Sequence, residues 1–247
     1  MKNNNVIDFH SHILPGIDDG SPDVATSVAM LQEMKKQGVA HCVATPHFYS
    51  YRQSVEAFVS QREAAWQQLH PVLTGDMPRV YLGAEVALFS ELAELSEAEL
   101  CALCVAGTRT LLLEMPFAQW EDYDVDIVSR LSLDREIQVV LAHLERYLPL
   151  QRKSIYMDRI LALPVWVQIN AESLSGGLGN LRQRRQVLQL FEIGQAHLLG
   201  SDCHNLHHRA PNLQQGRDAL QKHLGPRILS RMDHLGTSLL LQEGVIV

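Results

Sequence analysis

The feature that most constrains the fold of this chain is a regular alternation between short apolar runs and longer amphipathic segments. Seven runs have the length and β-branched content typical of buried strands, and segments with helical periodicity lie between them. This order is typical of βα units that build a parallel sheet. The predicted strands cover residues 6–9, 39–44, 80–83, 110–113, 137–142, 165–169 and 197–200.

The helices predicted between these strands indicate one continuous α/β unit. For the first helix we expect Ser21 as the N-cap, Pro22 at the first helical position and Gly38 at the end. No repeat, linker or low-complexity tract divides the chain, so we expect a single domain over residues 1–247. Seven parallel strands can close as a distorted β/α barrel or lie open as a doubly wound sheet. The later predicted helices cover residues 54–69, 123–133, 155–163, 182–193 and 212–223.

Polar side chains follow every predicted strand at its carboxyl end. In both architectures this is the end of the sheet at which chemistry takes place. Unrelated loop residues would have no reason to choose the same end of successive strands, so we expect these side chains to form one site. In strand order they are His10, His12 and Asp19; His47; Glu85; Glu114; His143 and Arg146; Asn170; and Asp202 and His204.

The residue types in this set indicate a metal site. His10 and His12 point to the same side of an extended chain, while Ser11 points to the other. Five histidines and four carboxylates offer nitrogen and oxygen donors, which suit Zn²⁺, Mn²⁺ or Fe²⁺ better than an iron–sulfur cluster. Nine donors are too many for one ion, so we expect two or three ions and at least one bridging carboxylate.

Composition excludes several other classes of function. The chain carries 21 basic and 28 acidic residues, a net charge of −7, so we expect no nucleic-acid partner. Four cysteines and the lack of a secretory leader after residues 1–5 predict a cytoplasmic location. The longest apolar runs, such as residues 238–247, are shorter than the ~20 residues of a membrane span, so we expect no membrane insertion. The oligomeric state is not indicated.

Six segments together resemble a known superfamily. They are "DFHSHILPGIDDG", "TPHF", "GAEV", "AHLERY", "INAESLSG" and "SDCHN". In this order they resemble the polymerase-and-histidinol-phosphatase (PHP) superfamily, and more narrowly the bacterial tyrosine phosphatases encoded with capsular polysaccharide operons, the CpsB/CapC/YwqE type. The resemblance extends from about residue 6 to residue 209. It implies a distorted (β/α)7 barrel with a metal site at the carboxyl ends of the strands.

The same resemblance implies how the nine donors are divided among the metals. One metal is held by His10, His12, Glu85 and Asp202, and Glu85 bridges to a second. For the two or three divalent ions we expect manganese, with zinc or iron as alternatives. Glu114 and His143 complete the second metal, and Asp19, His47 and His204 hold the third.

The resemblance also implies a substrate. Arg146 and Arg209 correspond to arginines that contact phosphate, although "NLHHR" before Arg209 departs from the usual family pattern. The expected substrate is a phosphotyrosine protein, namely the tyrosine-rich tail of a polysaccharide-assembly kinase. The sequence leaves open a related phosphoesterase acting on a small metabolite such as histidinol phosphate, and a non-catalytic metal-binding scaffold. His207 and His208 are either solvated or line the mouth of the site.

One motif offers a different mechanism. Cys203 and Arg209 have the C-x5-R spacing of cysteine-based tyrosine phosphatases. However, Asp202 next to Cys203 raises the pKa of a thiol, and the intervening "HNLHH" has no glycine to wrap backbone N–H groups around an anion. If Asp202 and His204 face the metals, Cys203 points into the packing. We therefore expect Cys203 to be structural.

Overall fold

The structure is a computed structural model that describes residues 6–175 and 181–240. Within these ranges all strand pairs are parallel, which confirms the α/β class predicted from the alternation. The strands found there are β1 (Ile7–Ser11), β2 (His41–Ala44), β3 (His47–Phe48), β4 (Arg79–Leu82), β5 (Glu85–Ala87), β6 (Thr110–Glu114), β7 (Gln138–Leu141), β8 (Trp166–Asn170) and β9 (Leu198–Gly200).

After β2 and after β4 the chain breaks from the first sheet and continues as a short strand, β3 or β5, in a second sheet. The first sheet has the order β1-β2-β4, and the second has the order β3-β5-β6-β7-β8-β9. Pro46, between β2 and β3, has no N–H to donate to a ladder, which favours the break at that point. The resumed strands β3 and β5 pair with His47 opposite Glu85. The interruption therefore brings two of the predicted metal ligands side by side.

The carboxyl end of β1 contacts the segment that follows β9. The backbone N–H of Asp202 donates to the carbonyl of His10 at 2.8 Å, and the N–H of His12 donates to the carbonyl of Cys203 at 2.9 Å. These bonds join residues from the two ends of the chain. They place His10 and His12 next to Asp202 and His204.

Within the described ranges the predicted helices are found with small shifts, and three further helices were not predicted. Ser96 and Glu99 form a capping box at the start of α3, and this Ser-x-x-Glu pattern in the sequence is typical of a helix N-terminus. Helix α9 begins at Pro226, directly after Gly225, whose φ of 82° ends the preceding helix. The helices are α1 (Val24–Lys36), α2 (Val55–Leu69), α3 (Glu97–Leu103), α4 (Asp122–Ser129), α5 (Ser154–Leu161), α6 (Glu172–Ser175), α7 (Leu181–Glu192), α8 (Leu213–Leu224) and α9 (Pro226–Leu240).

The prediction of Ser21 as the cap of α1 is wrong. Asp23 is the N-cap, and its carboxylate accepts from the N–H of Thr26 at 2.7 Å. An ionised carboxylate is a stronger acceptor than a hydroxyl, and it lies next to the positive end of the helix dipole. Ser21 is buried instead, where its hydroxyl donates to the carbonyl of Asp23.

Apart from β4, which has no buried residue, most strand residues are buried, as expected for parallel strands covered by helices. All five residues of β1 and of β6 are buried, and the core contains apolar residues from Val6 to Leu240. No helix in the described ranges is both long enough and apolar enough to cross a membrane. Gly176, the last residue of the "INAESLSG" motif, lies outside the described residues, as do residues 241–247 of the last apolar run.

Candidate metal centre

The structure brings all nine predicted ligands together in overlapping groups, at or just beyond the carboxyl ends of β1, β2, β4, β6, β7 and β9. Each residue belongs to at least one group whose donor atoms lie within 4.8 Å of one another. The groups share members, so the donors form one cluster and not separate sites. The four groups are His12, Asp19, His47 and His204; His10, His12 and Asp202; His10, Glu85 and His143; and His47, Glu85 and Glu114.

The most compact part of the cluster has the dimensions of a coordination sphere. The Nε2 atoms of His10 and His12 are 3.1 Å apart. Each lies 3.5 Å from Oδ1 of Asp202, and they lie 3.2 and 3.4 Å from Oε2 of Glu85. In a tetrahedral site with ligands at 2.0–2.1 Å from the metal, neighbouring donors are about 3.4 Å apart. The donors of His10, His12 and Asp202 therefore fit around a single divalent ion, and Oε2 of Glu85 lies at a similar distance from both histidines.

Glu85 uses its two oxygens on two sides of the cluster. While Oε2 faces His10 and His12, Oε1 lies 2.8 Å from Nε2 of His143. Nε2 of His143 is also 3.7 Å from Oε1 of Glu114. A carboxylate whose two oxygens face different donor groups has the geometry of a bridging ligand. Glu85 is fully buried, so no solvent competes for it.

The third part of the cluster is more open. Oδ1 of Asp19 lies 3.4 Å from Nε2 of His47 and 3.5 Å from Nε2 of His204. Asp19 has 67% of its side chain exposed, whereas His204 is buried. His47 also reaches the inner group, because its Nδ1 is 2.9 Å from Oε2 of Glu85. His47 thus joins the inner and outer donors, which sequence reasoning assigned to separate metals.

Unpaired polar atoms in this cluster support metal binding. Oε2 of Glu85 and Nδ1 of His47 are buried and make no hydrogen bond with any described residue, although they are close together. A buried polar atom without a partner is destabilising, so such atoms in native structures call for a ligand. The donor types, the distances and the orphaned atoms all fit divalent metal ions.

The charges in the cluster favour ionised carboxylates. Burial by itself raises the pKa of Glu85 and Asp202, but neighbouring histidines, above all His10, hold both well below their usual values. Burial also disfavours protonated His10 and His12, yet the surrounding carboxylates raise the pKa of both imidazoles. A metal ion binding here displaces protons from these nitrogens, so metal affinity rises with pH.

In two other members of the cluster, Glu114 and His204, the pKa is shifted in the opposite direction. Burial, and then the charge of Glu85, raises the pKa of Glu114 to about 7. Burial, followed by the charges of His12 and Arg209, lowers the pKa of His204 to about 4. His204 is therefore neutral at neutral pH, which is the protonation state in which imidazole binds a metal.

Sequence reasoning missed Asp18, which holds two of the ligand residues in place. Its Oδ2 accepts from Nδ1 of His12 at 2.7 Å and from the N–H of His47 at 3.1 Å. The loop returns close to β1 because Gly20 has no side chain: a Cβ there would lie 2.5 Å from Cβ of His12. The adjacent Asp18 and Asp19 indicate that this loop belongs to the site. The sequence does not indicate which of the two is a candidate ligand and which supports the histidines.

Gln168 and Asn170 support the cluster from β8. Oε1 of Gln168 lies 3.1 Å from Nδ1 of His10 and accepts from the N–H of His143 at 3.0 Å. Asn170 donates through Nδ2 to Oδ2 of Asp202 at 2.8 Å. Such partners fix ring orientation and are nearly as important for metal affinity as the ligands. The sequence signal for Gln168 is a polar residue within a buried strand.

Two of the predicted ligands have left-handed backbone conformations. The φ angles are 33° for His143 and 51° for Asp202. Non-glycine residues in this region carry strain of about 1–3 kcal/mol, which the surrounding structure must offset. This backbone conformation directs the two side chains into the cluster just after β7 and β9.

Both predicted arginines contact Asp202. Nη2 of Arg146 lies 2.9 Å from Oδ2 of Asp202, and Nη2 of Arg209 lies 2.6 Å from Oδ1. Nη1 of Arg209 also lies 2.8 Å from Nε2 of His204. Oδ1 of Asn205 accepts from the backbone N–H groups of residues 207–209 and so fixes the turn that carries Arg209.

The remaining candidates lie outside the cluster. His207 and His208 are exposed and belong to none of the donor groups found in the described ranges. Cys203 is fully buried in the apolar core, and burial raises the pKa of its thiol well above the usual value. A protonated, buried thiol is not a nucleophile. The structure thus opposes a cysteine mechanism.

Comparison with known proteins gives a consistent result. The family model described as capsular polysaccharide synthesis, CpsB/CapC, matches residues 6–241. The chain is 30% identical over 227 residues to the tyrosine-protein phosphatase YwqE of Bacillus subtilis, covering 90% of this chain and 87% of that protein. It is 28% identical over 234 residues to the tyrosine-protein phosphatase CpsB of Streptococcus pneumoniae, covering 90% and 92%.

A solved structure matches over nearly the whole chain. It belongs to the crystal structures of YwqE from Bacillus subtilis and CpsB from Streptococcus pneumoniae, described as unique metal-dependent tyrosine phosphatases. The TM-score is 0.80 at 27% sequence identity, and the match covers 98% of this chain and 96% of the other. Fold and sequence therefore lead to the same group of proteins.

Proposed function

Because this chain belongs to the CpsB/CapC capsular polysaccharide synthesis family, we propose that it is a metal-dependent protein-tyrosine phosphatase. The observation that carries the proposal is the convergence of nine nitrogen and oxygen donors around Glu85. Similar proteins that are named tyrosine phosphatases, and a matching structure described as metal-dependent, support the same reaction.

The nine donors divide among three ions in this proposal. His10, His12, Glu85 and Asp202 hold the first ion, and Glu85 bridges to the second. Manganese is the metal we propose, with zinc and iron as alternatives, since all three accept mixed nitrogen and oxygen ligands. Glu114 and His143, whose Oε1 and Nε2 atoms are 3.7 Å apart, would complete the second ion, and Asp19, His47 and His204 would hold the third.

The fold we propose is a distorted (β/α)7 barrel of the PHP superfamily, formed by residues 1–247 as one domain. Counting β2 with β3 and β4 with β5 as interrupted strands gives seven strands. The pairing of β5 with β6 and the bonds between β1 and the segment after β9 support a closed ring. A single apolar core from Val6 to Leu240 supports one domain.

The arginines bind the phosphoryl group in this mechanism. When bound, the metal ions activate water as the nucleophile and stabilise negative charge on the phosphoryl oxygens. Arg146 and Arg209 already lie at the cluster through Asp202, and they exchange this contact for phosphoryl oxygens when substrate binds. The leaving phenolate has a conjugate acid of pKa about 10, so it needs less help from a general acid than an alkoxide does.

The family description supports a proposal for the biological substrate. Its description as capsular polysaccharide synthesis supports a phosphotyrosine protein of that process, and we propose the tyrosine-rich tail of a polysaccharide-assembly kinase. This substrate places the enzyme in the cytoplasm. The acidic net charge of −7 gives no support for a nucleic-acid partner.

Substrate profiling together with metal removal tests this function. The purified protein is assayed on a tyrosine-phosphorylated peptide, on the same peptide with phosphoserine, and on histidinol phosphate. We expect turnover of the phosphotyrosine peptide and loss of this turnover in EDTA. Adding Mn²⁺, Zn²⁺ or Fe²⁺ is expected to restore it, and the ion that restores the highest turnover identifies the preferred metal. Preferential turnover of histidinol phosphate would assign the chain to metabolite phosphatases, and metal binding without turnover of any ester would make it a scaffold.

A further inference from the structure

Phe117 is a large apolar side chain exposed beside the metal cluster. It has 55% of its surface exposed, and it lies three residues after Glu114. Its ring stacks on the ring of His143, with centroids 5.8 Å apart and an interplanar angle of 26°. Since phenylalanine has no polar tip to hydrate, its exposure at this position leaves an apolar surface next to a cluster of polar ligands.

The segment that carries Phe117 is held rigidly. The N–H of Met115 donates to the hydroxyl of Tyr147 at 3.1 Å, and the carbonyl of Pro116 accepts from Nε1 of Trp120 at 3.2 Å. Tyr147 and Trp120 are fully buried and lie 5.4 Å apart, centroid to centroid. The backbone just before Phe117 is therefore anchored to the core, and the Phe117 ring itself lies 5.0 Å from the ring of Tyr147, centroid to centroid.

A second aromatic ring lies on the other side of Glu85, but its face is already covered. Tyr49 stacks on His47 with centroids 5.3 Å apart, and His47 contacts Glu85 as His143 does. Cζ of Arg52 lies 4.7 Å over the Tyr49 ring. Among the described residues no arginine or lysine covers Phe117 in this way. Phe117, which is 55% exposed, is thus the less covered of the two rings.

We propose that Phe117 determines specificity by stacking against the aromatic ring of the phosphotyrosyl group. The inference rests on the proposed phosphatase function. It predicts that the site binds aryl phosphates more tightly than alkyl phosphates. A phosphoryl group bound near His143 would have its ester group close to the ring that stacks on that imidazole. An aryl ester gains an aromatic contact there, and a serine or glycerol ester does not.

Binding of two phosphonates separates this role from a structural one. Phenylphosphonate and methylphosphonate are titrated calorimetrically into manganese-loaded protein, because neither is hydrolysed and affinity is read without turnover. We expect the unchanged protein to prefer phenylphosphonate, and Phe117→Leu to weaken phenylphosphonate about fivefold while the methylphosphonate affinity stays the same. Phe117→Tyr, which retains the ring, is expected to keep the preference.

Tyr123→Leu is the matched control, because Tyr123 is an exposed aromatic residue at the start of α4 with no contact to the cluster. It is expected to leave both affinities unchanged. An equal loss for both phosphonates in Phe117→Leu, or a protein without an aryl preference, overturns the proposal. Hydrolysis of a phosphotyrosine peptide is measured separately: its absence together with a Phe117-dependent aryl preference rejects the phosphatase function and retains the aryl-binding role of Phe117.

Discussion

Replacing Asp18 is expected to weaken metal binding although Asp18 is not among the predicted ligands. Its carboxylate accepts three hydrogen bonds, from Nδ1 of His12 at 2.7 Å and from the N–H groups of Gly20 and His47 at 2.9 and 3.1 Å. Burial alone would raise its pKa, but these donors, above all His12, lower the pKa to about 2. Asp18 is therefore ionised at any working pH and fixes which nitrogen of His12 faces the cluster.

The expected losses of metal affinity and of stability in Asp18→Ala follow from these contacts. Loss of the hydrogen-bond partner of a metal-binding histidine typically costs 10–100-fold in metal affinity, or about 1.4–2.7 kcal/mol. Asp18→Ala also leaves the N–H groups of Gly20 and His47 without their acceptor, at roughly 1–3 kcal/mol of stability for each one that stays buried. Asp18→Asn keeps an acceptor and loses the charge, so its effect on metal affinity is expected at the lower end of the range.

The assay is competition between the metal-free protein and a chelating dye for Mn²⁺, with the free energy of unfolding measured in parallel. Asp23→Ala is the control, because Asp23 belongs to the same loop but is exposed and caps α1. It is expected to cost about 1 kcal/mol of stability and to leave metal affinity unchanged. Metal affinity of Asp18→Ala equal to that of the unchanged protein, or an equal loss in Asp23→Ala, would refute the reasoning.

Three further predictions concern the cluster and its surroundings. His143→Ala and Asp202→Ala are each expected to abolish phosphatase activity with the fold retained by circular dichroism; near-normal turnover with full metal content would show that the residue is not a ligand. Arg146→Ala is expected to lower kcat/KM on every phosphate ester by roughly 10²-fold without metal loss, measured by kinetics and metal analysis; recovery of activity on adding metal would assign it a structural role. Cys203→Ser is expected to keep most activity and to remain sensitive to EDTA, whereas a fully metallated but inactive Cys203→Ser would restore the thiol mechanism.

The placement of the candidate site could be predicted from the sequence because one rule governs it. Parallel strands end at a common edge, so residues as distant as His10 and His204 are expected together once the strands are identified. The structure brings all nine donors into one cluster. This rule does not predict which donors share a metal ion. His47 contacts both Glu85 and Asp19, and the order of the strand ends does not show which of these two residues it is grouped with.

The supporting residues and the strand interruptions were beyond sequence reasoning for physical reasons. Strands β3 and β5 have two and three residues, too short for any periodicity to be read. Asp18 and Asp19 are adjacent and chemically identical, and only the return of the loop onto β1 decides that Asp18 contacts His12. Gln168 lies within a buried strand, and the role of its polar side chain depends on its contacts with His10 of β1 and with the backbone of His143, which follows β7.

The contact between β1 and the segment after β9 has a consequence for biosynthesis. His10 and His12 are made first, but Asp202, which completes their donor set, follows roughly 190 residues later, about 10–40 s at 5–20 residues per second. During this interval the nascent chain carries two histidines without their later partners. No N-terminal fragment ending before Asp202 contains the full donor set, so a ribosome-bound or truncated chain offers metal ions at most a partial, weaker site. Tight metal binding therefore requires a chain that has been synthesised at least as far as His204 and has folded.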